Sequence, residues 1–143
     1  MATEAVSSEE LIQRLNAALG WEMRAQVMYA HYAAYVRGIY RLHLKPHFEG
    51  ESAESVMHAT VVRDHLVKLG GIARTDRDPA PIVHTTDYRT MLEEALKTEG
   101  FAAKTYKEFL ALPGLDQELF DAIEQIYLAE ERSVDELRQL MTT

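Results

Sequence analysis

Three glutamates and a histidine stand where a folded chain ordinarily places leucine or valine. Leu11, Leu15, Ala18, Glu22, Ala25, Tyr29, Tyr32 and Val36 follow one another at alternating spacings of four and three. That repeat lines one face of a helix. Glu22 sits in the middle of it. Tyr88, Leu92, Ala95, Glu99, Ala102, Tyr106 and Phe109 form a second such stripe, centred on Glu99. Leu119, Ile123, Ile126, Glu130, Ser133, Leu137 and Leu140 form a third, centred on Glu130. The stripe Glu51, Ser55, His58, Val62, His65 and Leu69 carries His58, with Glu54 on its flank.

A carboxylate in a core is costly unless it is paired or bound to a metal. An internal ion-pair network is one solution, but it needs cations. Arg14, Arg24, Arg63, Lys68, Lys97 and Lys104 all fall off the stripes, which leaves His58 and His65 inside. A divalent cation would compensate several carboxylates together. Oxygen-rich ligands with one imidazole suit iron or manganese, and zinc can also bind such a set. The alternative is a residual polar cluster satisfied by hydrogen bonds. Tyr29 and Tyr106 read as core aromatics that could also donate to site carboxylates. His65 reads as a core or interface histidine. His43, His47 and His84 carry no metal spacing.

Positioning four such stripes takes four helices. Ser7 or Ser8 can cap a first helix running to about residue 37, where Gly38 breaks the pattern. Pro46 suits the first turn of a second helix, which ends at Leu69-Gly70-Gly71. Residues 72–85 carry Pro79 and Pro81 without helical period and read as a long connector. A third helix is expected over about 86–111, stopped before Pro113-Gly114, and a fourth over about 116–141. The expectation is all-α: an antiparallel four-helix bundle in a single domain, 1–143, with one long crossover between the second and third helices.

Composition narrows the function. The 143-residue chain has a formal charge of −8, which argues against a general affinity for nucleic acid. There is no cysteine, so disulfides, thiol catalysis and cysteine-ligated zinc are excluded. No apolar run of membrane-spanning length occurs. The acidic start, MATEAVSSEE, has no apolar signal-like core, so a cytoplasmic location is expected.

At these residues a family resemblance enters. LNAALGWEMRAQVMY (Leu15–Tyr29) resembles the first helix of bacterioferritins, with Glu22 at the place of a ligand glutamate. MHATVVRDHLVKLGG (Met57–Gly71) is similar to the end of a bacterioferritin-like or Dps-like second helix, with His58 as the ligand histidine. MLEEALKTEGFAAKTY (Met91–Tyr106) resembles the third helix and IYLAEERSVDELRQL (Ile126–Leu140) the fourth, with Glu99 and Glu130 at ligand positions. The resemblance implies a ferritin-like fold and a di-iron carboxylate site. That site takes single glutamates from two helices and Glu-x-x-His from the other two. Here the second helix offers Ser55-x-x-His58, without the Glu, and the fourth offers Glu130-x-x-Ser133, without the His. Glu54, four residues before His58 and on its face, can replace the missing ligand after a modest rotation, or it is an exposed boundary glutamate.

The expected metal ligands are therefore Glu22, Glu54, His58, Glu99 and Glu130. The resemblance implies a protein that binds iron in a mono- or dinuclear site, with manganese or zinc as other occupants, and oxidises or stores it. The alternative is a ferritin-like binding or structural protein with a degenerate, non-catalytic site. Val56 stands where haem-binding relatives have methionine, so no haem is expected. Metal ions and further copies of the chain are the expected partners: a dimer at least, packed through the first two helices, or a cage. With about ten residues after Ser133, the short fifth helix of twenty-four-subunit cages is not expected.

Overall fold

Three of the helices begin where a side chain can accept from the unpaired N–H groups of a first turn. Ser7 accepts from the Glu10 amide at 3.2 Å, and Asp87 from that of Thr90 at 3.0 Å. Asp116 accepts from Glu118 and Leu119 at 3.2 and 3.4 Å. The computed structural model describes residues 4–142, so the ends of the expected 1–143 domain lie outside the described residues. The elements are α1 (Ser8–Tyr35), α2 (Arg41–Lys68), α3 (Tyr88–Leu110) and α4 (Gln117–Met141), with no strand among the described residues. This is the expected four-helix bundle: α1 pairs with α2, α3 pairs with α4, and a long crossover joins the two hairpins.

The second helix begins at Arg41, earlier than the start expected near Pro46. Leu44 and Phe48 are buried and extend the stripe of Ser55 and Val62 back past the proline. Proline leaves the Leu42 carbonyl without a helical partner, but both residues are exposed, so water can replace that bond. Arg41 also ties the hairpin. Its Nη1 donates to the carbonyls of Ala34 at 3.0 Å and Val36 at 2.8 Å, which end α1 unpaired otherwise. At the other end of α2, Gly70 takes φ +78°. The amides of Gly71 and Gly70 then bond back to Leu66 and Val67 at 2.9 and 3.0 Å, closing the helix as the Leu-Gly-Gly sequence implies.

The crossover is fastened along one edge of α1. The Asn16 amide group donates to the Ile72 carbonyl at 3.0 Å, and the Gly20 carbonyl accepts from the Asp78 amide at 2.9 Å. Tyr32 donates its hydroxyl to the Val83 carbonyl at 2.8 Å. Arg24 is the central fastener and corrects the sequence reading. It lies off the stripe, yet it is buried, beneath the crossover. Its guanidinium donates to Ala80 O at 2.9 Å, Pro81 O at 2.7 Å and Thr98 Oγ1 at 2.9 Å. Charge-assisted bonds of this kind contribute more than neutral ones. Arg24→Ala is expected to lower unfolding stability by about 3 kcal/mol in urea titrations. Arg24→Lys is expected to recover only part of that loss, because an ammonium lacks the planar fork.

The interior has two apolar cores. One holds Leu15, Leu19, Val62, Leu66, Phe109 and Ile123. The other holds Met28, Tyr32, Phe48, Met91, Leu92 and Leu137. Between them every helix changes to polar residues: Glu22 on α1, Ser55 and His58 on α2, Glu99 on α3, Glu130 and Ser133 on α4. A polar layer of this composition between two ordinary cores is what the interrupted stripes imply.

Candidate metal centre

Glu22, Glu99 and Glu130 are 3–4 % exposed. Each sits at the middle of a long helix, where the side chain is held by packing above and below. His58 is largely buried and faces two of them. Its Nδ1 lies 3.1 Å from Glu130 Oε1 and 3.4 Å from Glu22 Oε2. Glu22, His58 and Glu130 each present a ligand atom within 4.8 Å of the others. Glu54 approaches the other side of the ring, with Oε1 3.5 Å from Nε2, and is more exposed. The imidazole is therefore held between two buried carboxylates and one at the rim.

Two buried tyrosines donate to the cluster from opposite cores. Tyr106 donates to Glu22 Oε2 at 2.6 Å, and Tyr29 to Glu99 Oε1 at 2.8 Å. Neither hydroxyl ionises readily: burial first, then the adjacent carboxylates, hold both well above the ordinary tyrosine range.

The carboxyls repel one another and lack water. Burial, then the charges of Glu22 and Glu99, push Glu130 well above the usual carboxylate range. Burial also raises Glu99, although a hydrogen bond from Glu130 and another from Tyr29 favour its ionised form. Glu99 and Glu130 therefore both hold a proton more tightly than an ordinary carboxyl. Burial alone would lower His58, but hydrogen bonding and charge from Glu22, with the charges of Glu54 and Glu99, outweigh it and raise the imidazole.

Glu51 joins the cluster, which the sequence reading did not anticipate. It lies on the stripe of Ser55 and His58, one and two turns away. Ser133 Oγ donates to its Oε2 at 3.1 Å. Burial, then the charges of Glu99 and Glu54, raise it to about 7.

Among the described residues no lysine or arginine makes an ion pair with any of these glutamates. Glu22 and Glu130 with the His58 imidazole, and with Glu99 and Glu51 beside them, are an oxygen-rich donor set without a lysine or arginine to balance it. This fits a hard or borderline divalent cation. His65 is buried but belongs to α2 beyond the cluster, and His84 pairs with His31 at 2.9 Å on the surface, away from it.

The family model of the ferritin-like domain matches residues 12–143. A ferritin-like, diiron-carboxylate protein from Bacillus anthracis strain Ames is 33 % identical, with TM-score 0.85 over 94 % of this chain and 97 % of that one. A dodecameric thioferritin, the bacterioferritin-related protein of Bacteroides fragilis, is 26 % identical, with TM-score 0.87 over 94 % and 85 %. The DPS protein of Vibrio cholerae O1 shares the fold at 15 % identity, with TM-score 0.88 over 99 % and 98 %. No curated protein matches the chain at a significant level.

Proposed function

The chain belongs to the ferritin-like domain family, and from that premise we propose that it takes up Fe(II) in the polar layer of the bundle and oxidises or stores it. The observation that supports this reading is the group formed by Glu22, His58 and Glu130, buried without a lysine or arginine to balance it. Bound there, Fe(II) supplies the electron that oxygen or peroxide accepts. The protein supplies the rest. Glu22, Glu99 and Glu130 provide anionic oxygens, and Nδ1 of His58 provides the nitrogen donor. Glu54, 3.5 Å from Nε2 at the rim, would help to orient the ring. Tyr29 and Tyr106 aim the carboxylates, and the two apolar cores keep bulk water away. Manganese or zinc would satisfy the same donors in vitro.

Metal analysis of protein purified without chelators, followed by aerobic Fe(II) oxidation, tests the reading. Bound iron and oxidation above the buffer rate are expected. No bound metal and no oxidation above that rate would leave the second reading, a bundle with a non-catalytic polar layer. Ser55 and Ser133, which stand where the family pattern has Glu and His, are the residues that favour it.

Tyr106→Phe removes the 2.6 Å donor to Glu22 without changing the packing volume. Outer partners of this kind are worth 10–100-fold in metal affinity. A loss of about tenfold is expected in a Mn(II) competition titration, with unfolding stability changed little.

We also propose a dimer as the minimum assembly, packed through α1 and α2. Their outer faces expose Val27, Val56, Met57 and Val67, of which Met57 is 68 % and Val67 69 % exposed. Light scattering measures this directly. No described helix is long and apolar enough to cross a membrane.

A further inference from the structure

We propose that Glu51 is a metal ligand that stands in for both residues missing from the family pattern, completing a second metal subsite with Glu99 and Glu130. The inference rests on the metal-binding reading above and specifies its nuclearity.

The two departures from the pattern, Ser55 and Ser133, are on different helices, but both are buried in the same layer. A serine at either position is shorter than the residue it replaces. Glu51 lies one turn before Ser55 on the same face of α2. Ser133 occupies the histidine's place, and its hydroxyl donates to the Glu51 carboxyl at 3.1 Å. Ser133 thus holds the carboxyl that Glu51 brings to the layer.

The layer then divides into two halves of similar construction. On one side, Tyr106 holds Glu22, which faces Nδ1 of His58 together with Glu130. On the other, Tyr29 holds Glu99 and Ser133 holds Glu51. Glu99 and Glu130 are neighbours across the middle. Charge counts the same way. Glu22, Glu51, Glu99 and Glu130 carry four negative charges when ionised. Two divalent cations balance four charges, and one would leave a buried excess. Without Glu51 the count is three, which suits neither number. Glu54 does not fill this half, because it faces the far nitrogen of His58 at the rim.

Anaerobic Mn(II) titration of the chelator-treated chain, followed by calorimetry and electron paramagnetic resonance, tests the proposal. The unaltered chain should take two Mn(II) per chain and show an exchange-coupled signal. Glu51→Gln, which keeps shape and hydrogen-bonding capacity, should take one, with a mononuclear six-line signal and a first-site affinity within about threefold of the parent. Circular dichroism confirms that the variant is folded. Two equivalents and a coupled signal in Glu51→Gln would overturn the assignment. One equivalent in both proteins would also overturn it and leave the metal-binding reading standing. No Mn(II) bound by the unaltered chain would remove both.

Discussion

Glu99→Gln combined with Glu130→Gln is expected to abolish tight metal binding while making the metal-free protein more stable. The two effects have opposite signs, which gives the experiment its force. Both carboxyls are almost fully buried, and burial is the first cause of their raised proton affinity. Buried ion pairs replaced by apolar residues of similar volume often gain about 1–4 kcal/mol, and neutral amides in place of these carboxyls should act in the same direction. An amide pair can keep a hydrogen bond across the middle of the layer and can still accept from Tyr29. Metal loses two anionic ligands at once. Loss of an outer partner alone costs 10–100-fold, so two direct ligands should cost at least about 10³-fold. If the polar layer is only a structural network, the prediction reverses. Removing members of a satisfied buried network is destabilising, commonly by about 3–5 kcal/mol. Urea unfolding of chelator-treated protein and a Mn(II) titration of the same sample measure both quantities. A double variant that is less stable and binds metal as before would place the metal elsewhere.

The sequence made the layer readable because helical period is rigid. Glu22, Glu99 and Glu130 each fall on a stripe whose other members pack into a core, and all three are buried as the spacing requires. His58 follows by the same logic. Glu51 is on its stripe too, but the Glu-x-x-His spacing points to positions three or four residues from the histidine. What the spacing cannot express is a contact between helices. The Ser133 hydroxyl reaches from one helix to Glu51 on another, a contact that only the three-dimensional packing reveals. Arg24 was unreadable for a related reason. The stripes describe how helices face one another, whereas Arg24 is covered by the crossover, whose path has no period. The start of α2 was readable in principle: Leu44 and Phe48 continue the stripe before Pro46. The proline's usual preference for a first turn competed with that pattern, and the buried apolar residues prevailed because the proline faces solvent.

Acidity should separate the metal-free and metal-loaded proteins in opposite directions. In the metal-free chain, Glu51 is raised from its ordinary value to about 7, Glu99 is raised, and Glu130 is raised further. A carboxyl raised on folding binds its proton more tightly in the native state. Stability therefore falls as pH climbs from the ordinary carboxylate range through the folded value. His58 acts in the same sense: its pKa is raised, so its contribution is complete below the ordinary imidazole range and is lost as pH rises through the folded value. Tyr29 and Tyr106 stay protonated throughout and add no slope. Between about pH 5 and pH 8 the chelator-treated protein should lose on the order of 2 kcal/mol from Glu51 alone, allowing for its partial exposure. That corresponds to a fall in Tm of roughly 5 °C, before the further losses from Glu99, Glu130 and His58. Saturating Mn(II) should reverse the trend. The metal competes with protons for the same oxygens and the same nitrogen, so binding strengthens as they leave. The gap in Tm between loaded and metal-free protein should widen steadily over this range. Parallel curves would mean that the cation and the protons do not share these side chains, and the polar layer would then be no metal centre.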